Sequence, residues 1–339
     1  EMLAIEGINE MYHGDLARAI VSACSPHGLL GMDDMRAEQV TIRKPLSTAL
    51  FGGTLLTNPA PSCGGLLISF AACLLELLLQ QDDMKQIDRP VLLAEALRAS
   101  SRIRKAGLDA RMHQQNVAAH ILNHDQLQTQ LAIIRQRLGR DPNQQSSEAA
   151  TEPDNRHGST THISIVDKNG MAVALTSSNG EGSGIVVPGT GIHLNNMLGE
   201  EDINPLGFHA LPAGTSLSSM MAPSVFLKNG HLSAVLGSGG SNRLRGAIFQ
   251  VLARHIMQGE NIEAAVHAPR LHNEGGQLEV EPDFLADSDK EQLMQLGWRL
   301  REWQNQSIYF GGVHAISCDK RGNLHGSGDP RRGGAVSSA

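Results

Sequence analysis

Thr160 is the residue with the most chemistry open to it. It follows Gly158 and Ser159 at the end of a polar stretch, and a β-strand pattern begins at Thr161 and His162. A cut between Ser159 and Thr160 would give Thr160 a free α-amine. Such an amine has a pKa of roughly 7.7–8.0, so part of it is unprotonated at neutral pH. A threonine hydroxyl is a poor nucleophile until a base takes its proton, and one residue would then supply both groups. A threonine that merely opens a strand after a loop has the same local sequence, so Thr160 alone leaves both readings open.

Two further clusters carry chemistry. Gly237-Ser238-Gly239-Gly240-Ser241 lies between an apolar strand pattern and a helix pattern. Adjacent glycines there let backbone N–H groups converge near a helix N-terminus, which suits an oxyanion hole for acyl transfer. A tight strand-to-helix turn would read the same way. A dinucleotide turn is disfavoured: Asn242 occupies the place of the third glycine, and no acidic residue ends a following strand at the expected distance. Leu217-Ser218-Ser219-Met220 precedes Pro223, and its paired hydroxyls could hold a carboxylate or simply form a turn. The chain has 15 histidines, with His157 and His162 close in sequence, yet no HExxH motif and no cysteine partner. No metal and no cofactor is expected.

The elements that must position these groups change character along the chain. Residues 2–27 read as two helices, and Asp33 could cap a short helix leading to Met35. Val40 to Asn58 reads as strands around Gly52-Gly53, and the proline-rich segment Asn58 to Gly65 as a rigid loop feeding a helix from about Leu66 to Gln80. Helices follow near Val91–Lys105 and Val117–Leu138. Gly139 to His157 is polar and reads as an exposed linker. Beyond it the period switches. Thr161–Asp167 and Met171–Ser177 alternate around Asn169-Gly170, a hairpin signal. Ser224–Leu227 and His231–Leu236 do the same around Asn229-Gly230. A helix over about 243–257 and a shorter one from Asn261, ended by Pro269, complete a sheet covered by helices.

Composition narrows the class. The chain has 339 residues, net charge −7, 40% hydrophobic and 3% aromatic residues. With no basic face to attract a polyanion, a nucleic-acid partner is not expected. Cys24, Cys63, Cys73 and Cys318 form no CxxC pair and read as reduced thiols. The richest apolar run, Leu66 to Leu79, is interrupted by Ser69 and Glu76, so no membrane span is expected. The compartment stays open between cytoplasm and periplasm.

The ordered set of motifs resembles the γ-glutamyltransferases. It runs through Thr160-Thr161-His162, Gly184-Ile185-Val186, Leu194-Asn195-Asn196, Leu217-Ser218-Ser219-Met220 and Gly239-Gly240-Ser241. Tyr12-His13-Gly14 and Asn58-Pro59-Ala60-Pro61-Ser62 upstream, and Ala268-Pro269-Arg270 and Asp329-Pro330-Arg331-Arg332-Gly333-Gly334 downstream, belong to the same set. The resemblance covers essentially the whole chain. It implies an α+β, four-layer αββα N-terminal-nucleophile hydrolase fold. It also implies autocatalytic cleavage between Ser159 and Thr160. Residues 1–159 would be the C-terminal part of a large subunit and 160–339 a small catalytic one. Carried over residue by residue, Thr160 is the nucleophile, Ser178 its hydroxyl partner, and Gly239 and Gly240 the oxyanion glycines. Ser218 and Ser219 would bind the substrate α-carboxylate, Asn179 its α-amine, and Glu200 or Glu201 would be the acidic group nearby. The implied partner is a small γ-glutamyl substrate such as glutathione. Four departures accompany the likeness: Met197 stands where a glutamine or glutamate is usual, residues 204–216 form a short lid segment, the glycine turn lacks a proline after its serine, and the chain starts well inside the large subunit. The first three resemble the branch that shades into cephalosporin-acylase-type members.

Overall fold

The structure is a computed structural model that describes residues 2–25, 28–38, 40–139, 160–274 and 276–338. Ser159 and the expected linker over 140–159 lie outside the described residues. The chain divides into two units, Glu1–Lys44 with Asn179–Met197, and Pro45–Ser178 with Leu198–Ala339.

In the first unit, helices α1 (Met2–Glu6), α2 (Asn9–Tyr12), α3 (Asp15–Cys24) and α4 (Met32–Ala37) take the place of the longer helices expected. Gly7, at φ 82, adopts the left-handed conformation that ends helices, so the apolar stripe is cut short there. Leu16 and Ile20 of α3 pack with Val187, flanked by Met11, Ala23, Ile192 and Leu194. Asp33 does not cap α4. Gly31 is the N-cap and the Asp34 carboxylate accepts the Gly31 N–H at 2.7 Å, while Asp33 sits in the first turn facing the helix dipole.

The second unit is built on a six-stranded antiparallel sheet, in the order β1 (Leu46–Leu50), β2 (Gly53–Thr57), β5 (Ser224–Lys228), β6 (His231–Gly239), β10 (Gly312–Cys318), β11 (Leu324–Ser327). Helix α5 (Cys63–Gln80) packs on β1, and α9 (Arg243–Leu252) packs on β6 and β10. Helices α6 (Arg89–Ile103) and α8 (His124–Leu138) pack against α5, with α7 (Val117–Ile121) between them in sequence. The apolar run is thus longer than its interruptions suggested. Among the described residues α5 is the one helix long and apolar enough to cross a membrane, and most of it is buried inside this unit.

On the opposite face lies the hairpin β3 (Thr161–Val166) and β4 (Ala172–Ser177), which packs on β6. Its alternation is inverted. His162 and Ser164 face inward, while Ile163, Ile165, Val173 and Leu175 are exposed. Helix α10 (Ile262–His267) is the short helix expected from Asn261, with Asn261 as its N-cap, whereas a smaller sheet of β7 (Leu271–Glu274), β8 (Gln277–Val280) and β9 (Arg299–Glu302), with helix α11 (Asp287–Gln295), was not read from the sequence. Its strands are only four residues long, too short for a clear period.

A buried charge cluster ties the chain's last turn to this region. Arg270 pairs with Asp329 at 2.6 Å, and Arg331 pairs with Asp329 at 3.2 Å and with Glu281. Asp329 also accepts the Val313 N–H at 2.8 Å. Burial alone would raise the Asp329 carboxyl, but Arg270 and Arg331 hold it below the ordinary range. Its stabilising effect is therefore complete above the unfolded value of 3.8 and is lost as pH falls through the lower folded value. Asp329→Ala leaves two buried guanidiniums short of a partner and is expected to lower unfolding free energy by about 3–5 kcal/mol. Urea denaturation at pH 7 checks this, with exposed Leu324→Ala expected to change stability by less than about 0.5 kcal/mol.

Candidate active site

Strand register brings the first two candidate residues together. Thr161 pairs with Ser177, so Thr160 and Ser178 are the next residues outward on the hairpin. Their hydroxyls lie 2.9 Å apart. Thr160 also meets the end of β6. A Cβ built on Gly239 would fall 2.3 Å from the Thr160 carbonyl oxygen, so a residue with a side chain there would displace the backbone. Gly239 pairs with Gly312 on β10, and Gly240 follows at φ 129, a conformation L-residues rarely adopt. Ser241 is left-handed at φ 53, and α9 starts two residues later. A strained turn of small residues thus sits between Thr160 and a helix N-terminus.

His162 fixes the spacing of the two sheets. Its ring lies over Gly237, where a Cβ would come 2.3 Å from the ring atoms. Nδ1 is 2.8 Å from the Thr176 hydroxyl and Nε2 3.0 Å from the Ser164 hydroxyl. Ser164 in turn lies 3.1 Å from the His314 carbonyl and 3.3 Å from that of Val235. Burial, with a smaller contribution from His314, pushes the His162 imidazole down to about 4. It is therefore a neutral spacer at physiological pH. Its sequence context, beside His157 and inside the Thr160-Thr161-His162 motif, carries no sign of this spacing role.

Ser218 and Ser219 sit on the proline-rich loop. The Ser218 hydroxyl donates to the Pro61 carbonyl at 2.7 Å and lies 3.2 Å from the Cys63 thiol. The Ser219 hydroxyl lies 3.2 Å from that of Ser62, and the two residues form a parallel bridge. Burial pushes the Cys63 thiol up to about 12, so it is a protonated packing group, not a nucleophile. Its sulfur lies 3.4 Å from Asp109, which pairs with Arg104 at 3.2 Å. Arg104 donates to Asn242 Oδ1 at 2.7 Å and to the Asp202 carbonyl, while the Asp202 carboxylate accepts from the Ser241 hydroxyl. One network therefore runs from the serine pair to the glycine turn.

Sequence reasoning missed Arg104, Asp109 and Asp202. The acidic run from Glu200 pointed to the right segment, where the Asp202 carboxylate meets the turn. The Glu200 carbonyl accepts the Asn204 N–H at 2.8 Å within that segment. Asn179 belongs to the other unit, where its side-chain amide donates to the His193 carbonyl at 3.1 Å. Met197 is also there, its N–H donating to Asn195 Oδ1 at 3.1 Å. Among the described residues no group of three or more His, Cys, Asp or Glu is arranged to hold a metal ion.

Comparison with known proteins supplies the context. The family model described as Gamma-glutamyltranspeptidase matches residues 1–339. The chain is 28% identical to the glutathione hydrolase proenzyme of Escherichia coli (strain K12), over 98% of this chain and 59% of that protein. It is 26% identical to the acylase ACY 1 proenzyme of Pseudomonas sp. (strain SE83), over 96% and 58%. The chain thus spans less than two thirds of the length of these relatives. The crystal structure of cephalosporin acylase from Bacillus halodurans superposes with a TM-score of 0.77 at 23% identity, covering 99% of this chain and 60% of that one. That likeness establishes the fold, the α+β αββα arrangement of N-terminal-nucleophile hydrolases.

The buried imidazole gives a direct check on the inter-sheet packing. NMR titration of His162 should show a midpoint near 4, against 6.5 for an ordinary histidine. Because the folded value is depressed, the unfolded chain takes up the proton first as pH falls. Stability is unaffected above pH 6.5 and declines between 6.5 and 4, by on the order of 3 kcal/mol in total. A midpoint near 6.5 would show that water reaches the ring.

Proposed function

The chain belongs to the gamma-glutamyltranspeptidase family, and from that premise we propose that it is an autoprocessed γ-glutamyltransferase or glutathione hydrolase with Thr160 as nucleophile. The observation that carries this reading is the Thr160 hydroxyl held 2.9 Å from Ser178 while the Thr160 backbone lies against Gly239.

In the proposed sequence, the Thr160 hydroxyl attacks the Ser159 carbonyl and the peptide bond becomes an ester. Water hydrolyses the ester, leaving a new carboxylate on Ser159 and a free amine on Thr160. Residues 1–159 then belong to the large subunit and 160–339 form the small one. In turnover the amine takes the Thr160 hydroxyl proton, and the oxygen attacks a γ-glutamyl amide carbonyl. Charge developing on the carbonyl oxygen is met by the Gly239 and Gly240 amides. The proton passes to the leaving amine, and the acyl-threonine is resolved by water or by an amino acid acceptor. Ser178 orients the nucleophile. Ser218 and Ser219 hold the donor's α-carboxylate, and Asn179 with Glu200 or Glu201 its α-amine. The substrate these roles imply is a small γ-glutamyl compound such as glutathione.

The same site supports a second reading, a cephalosporin-acylase-like amidase. Met197 favours it, because a thioether offers no strong partner for a substrate amine. Release from γ-glutamyl-p-nitroanilide against release from a glutaryl amide separates the two. A third, a catalytically dead remnant, predicts a single uncut band on a denaturing gel.

Thr160→Ala should remain one uncut chain and lose activity by at least about a thousandfold. A cut Thr160→Ala protein would end this account. Ser218→Ala should still be cut, and should raise KM for a γ-glutamyl donor by about tenfold or more, the loss of one hydrogen bond to a charged group. Steady-state kinetics and N-terminal sequencing of the smaller band measure both.

A further inference from the structure

One guanidinium touches the residue proposed as nucleophile. Arg332 Nη1 donates to the Thr160 carbonyl at 3.2 Å. The same atom lies 3.3 Å from where a Cβ on Gly239 would sit, and Nη2 lies 3.6 Å from the corresponding point on Gly240. The stem of Arg332 crosses Gly312, where a Cβ would come 2.6 Å from its Cδ. Arg332 Nε is buried without a hydrogen-bond partner. An unpaired buried donor opposes folding, so the placement is not explained by stability. Arg104 differs, because its three nitrogens are engaged by Asp109, Asn242 and Asp202.

The position of Arg332 is enforced from both sides in sequence. Arg331 is locked by Glu281 and Asp329, and Gly333, at φ 59, closes the turn so that the Gly334 N–H reaches the Asp329 carbonyl at 2.9 Å. Charged groups of both signs surround Arg332. Burial and then Arg243, at the start of α9, push the Arg332 guanidinium down, though an arginine stays charged in water-accessible proteins. Asp329 opposes them but is already paired with Arg270 and Arg331, and the Asp202 carboxylate near the turn accepts from the Ser241 hydroxyl. His162 on β3 and His314 on β10 are both lowered by burial and are neutral at pH 7.

We propose that Arg332 is a positioning residue for the nucleophile: it grips the Thr160 carbonyl, and its charge keeps the α-amine of Thr160 in the neutral form that accepts the hydroxyl proton. This rests on the reading that Thr160 becomes a chain terminus. An ammonium group beside a guanidinium is disfavoured, by on the order of one pH unit at such a half-buried site. For an amine of ordinary pKa near 7.8, that raises the unprotonated share at pH 7 from roughly one seventh to more than half.

The test uses the cut, full-length protein. Acetic anhydride labelling of the Thr160 amine across pH 5–9, read by mass spectrometry, should give a midpoint about one unit below the ordinary value. A midpoint at or above roughly 7.7 overturns the proposal. Arg332→Gln should move the acid limb of the kcat/KM profile up by about one unit and cost more at pH 6 than at pH 9. Arg332→Lys, which keeps the charge but not the fork, should leave the limb in place and lower kcat. An unmoved limb in Arg332→Gln, or an equal shift in Arg332→Lys, overturns the role of the charge. A wild-type protein that is never cut fails the underlying reading instead, and the proposal with it.

Discussion

The close approach of the Thr160 carbonyl to the Cα of Gly239 is the constraint on which the rest of the structure depends. It requires β6 to end in residues without side chains, and it requires β3 to start within reach of that end. Both conditions are met by the sheet-on-sheet packing in which His162 fills the space over Gly237. The imidazole, the glycine beneath it and the hydroxyls of Ser164 and Thr176 form one unit that sets the height of Thr160 above the turn. A side chain at Gly237 or Gly239 would have to move backbone or ring atoms, and such interiors do not deform gradually.

A second constraint is electrostatic. The last turn of the described chain is held by four interlocked charged groups, Arg270, Glu281, Asp329 and Arg331. Burying them is unfavourable unless each is paired and hydrogen-bonded. The geometry provides this, with the Val313 and Arg270 N–H groups completing the carboxylates. The consequence lies at Arg332, whose direction is decided by neighbours with no contact to Thr160. The Arg104 network does the same from the other side, joining the serine pair to Asn242 and Ser241 through one guanidinium.

What the sequence made legible follows from range. The Asn169-Gly170 and Asn229-Gly230 hairpins were visible because two residues select the turn and the alternation on either side is local. The expected loop over Asn58–Gly65 is real as far as Ser62, but α5 already begins at Cys63. There Gly64 and Gly65 pack tightly against Met220 and Asn58, a reason for glycine that no local pattern carries. Of the candidate residues that the resemblance implied, Thr160 and Ser178 share one strand register and Gly239 and Gly240 one strand end. Arg104 and Asp109 join the network through contacts spanning up to 138 residues of chain, and nothing in their neighbourhoods marks them, while Asp202 was signalled only by the acidic run that contains it.

The inverted hairpin shows why alternation alone misleads. Read by pattern, β3 and β4 would turn Ile163, Ile165, Val173 and Leu175 toward the core. Instead the polar side chains point in, because the inner position is where His162 spaces the sheets and where the hydroxyls that hold it must be. The apolar side chains lie on the outer face, where Ile163, Ile165, Val173 and Leu175 are exposed. The inner face is held by hydrogen bonds, and a slip of one residue would turn the imidazole and its hydroxyl partners outward and forfeit them. The register that puts Thr160 opposite Ser178 is therefore fixed by the whole hairpin, not by the hydroxyl pair at its end.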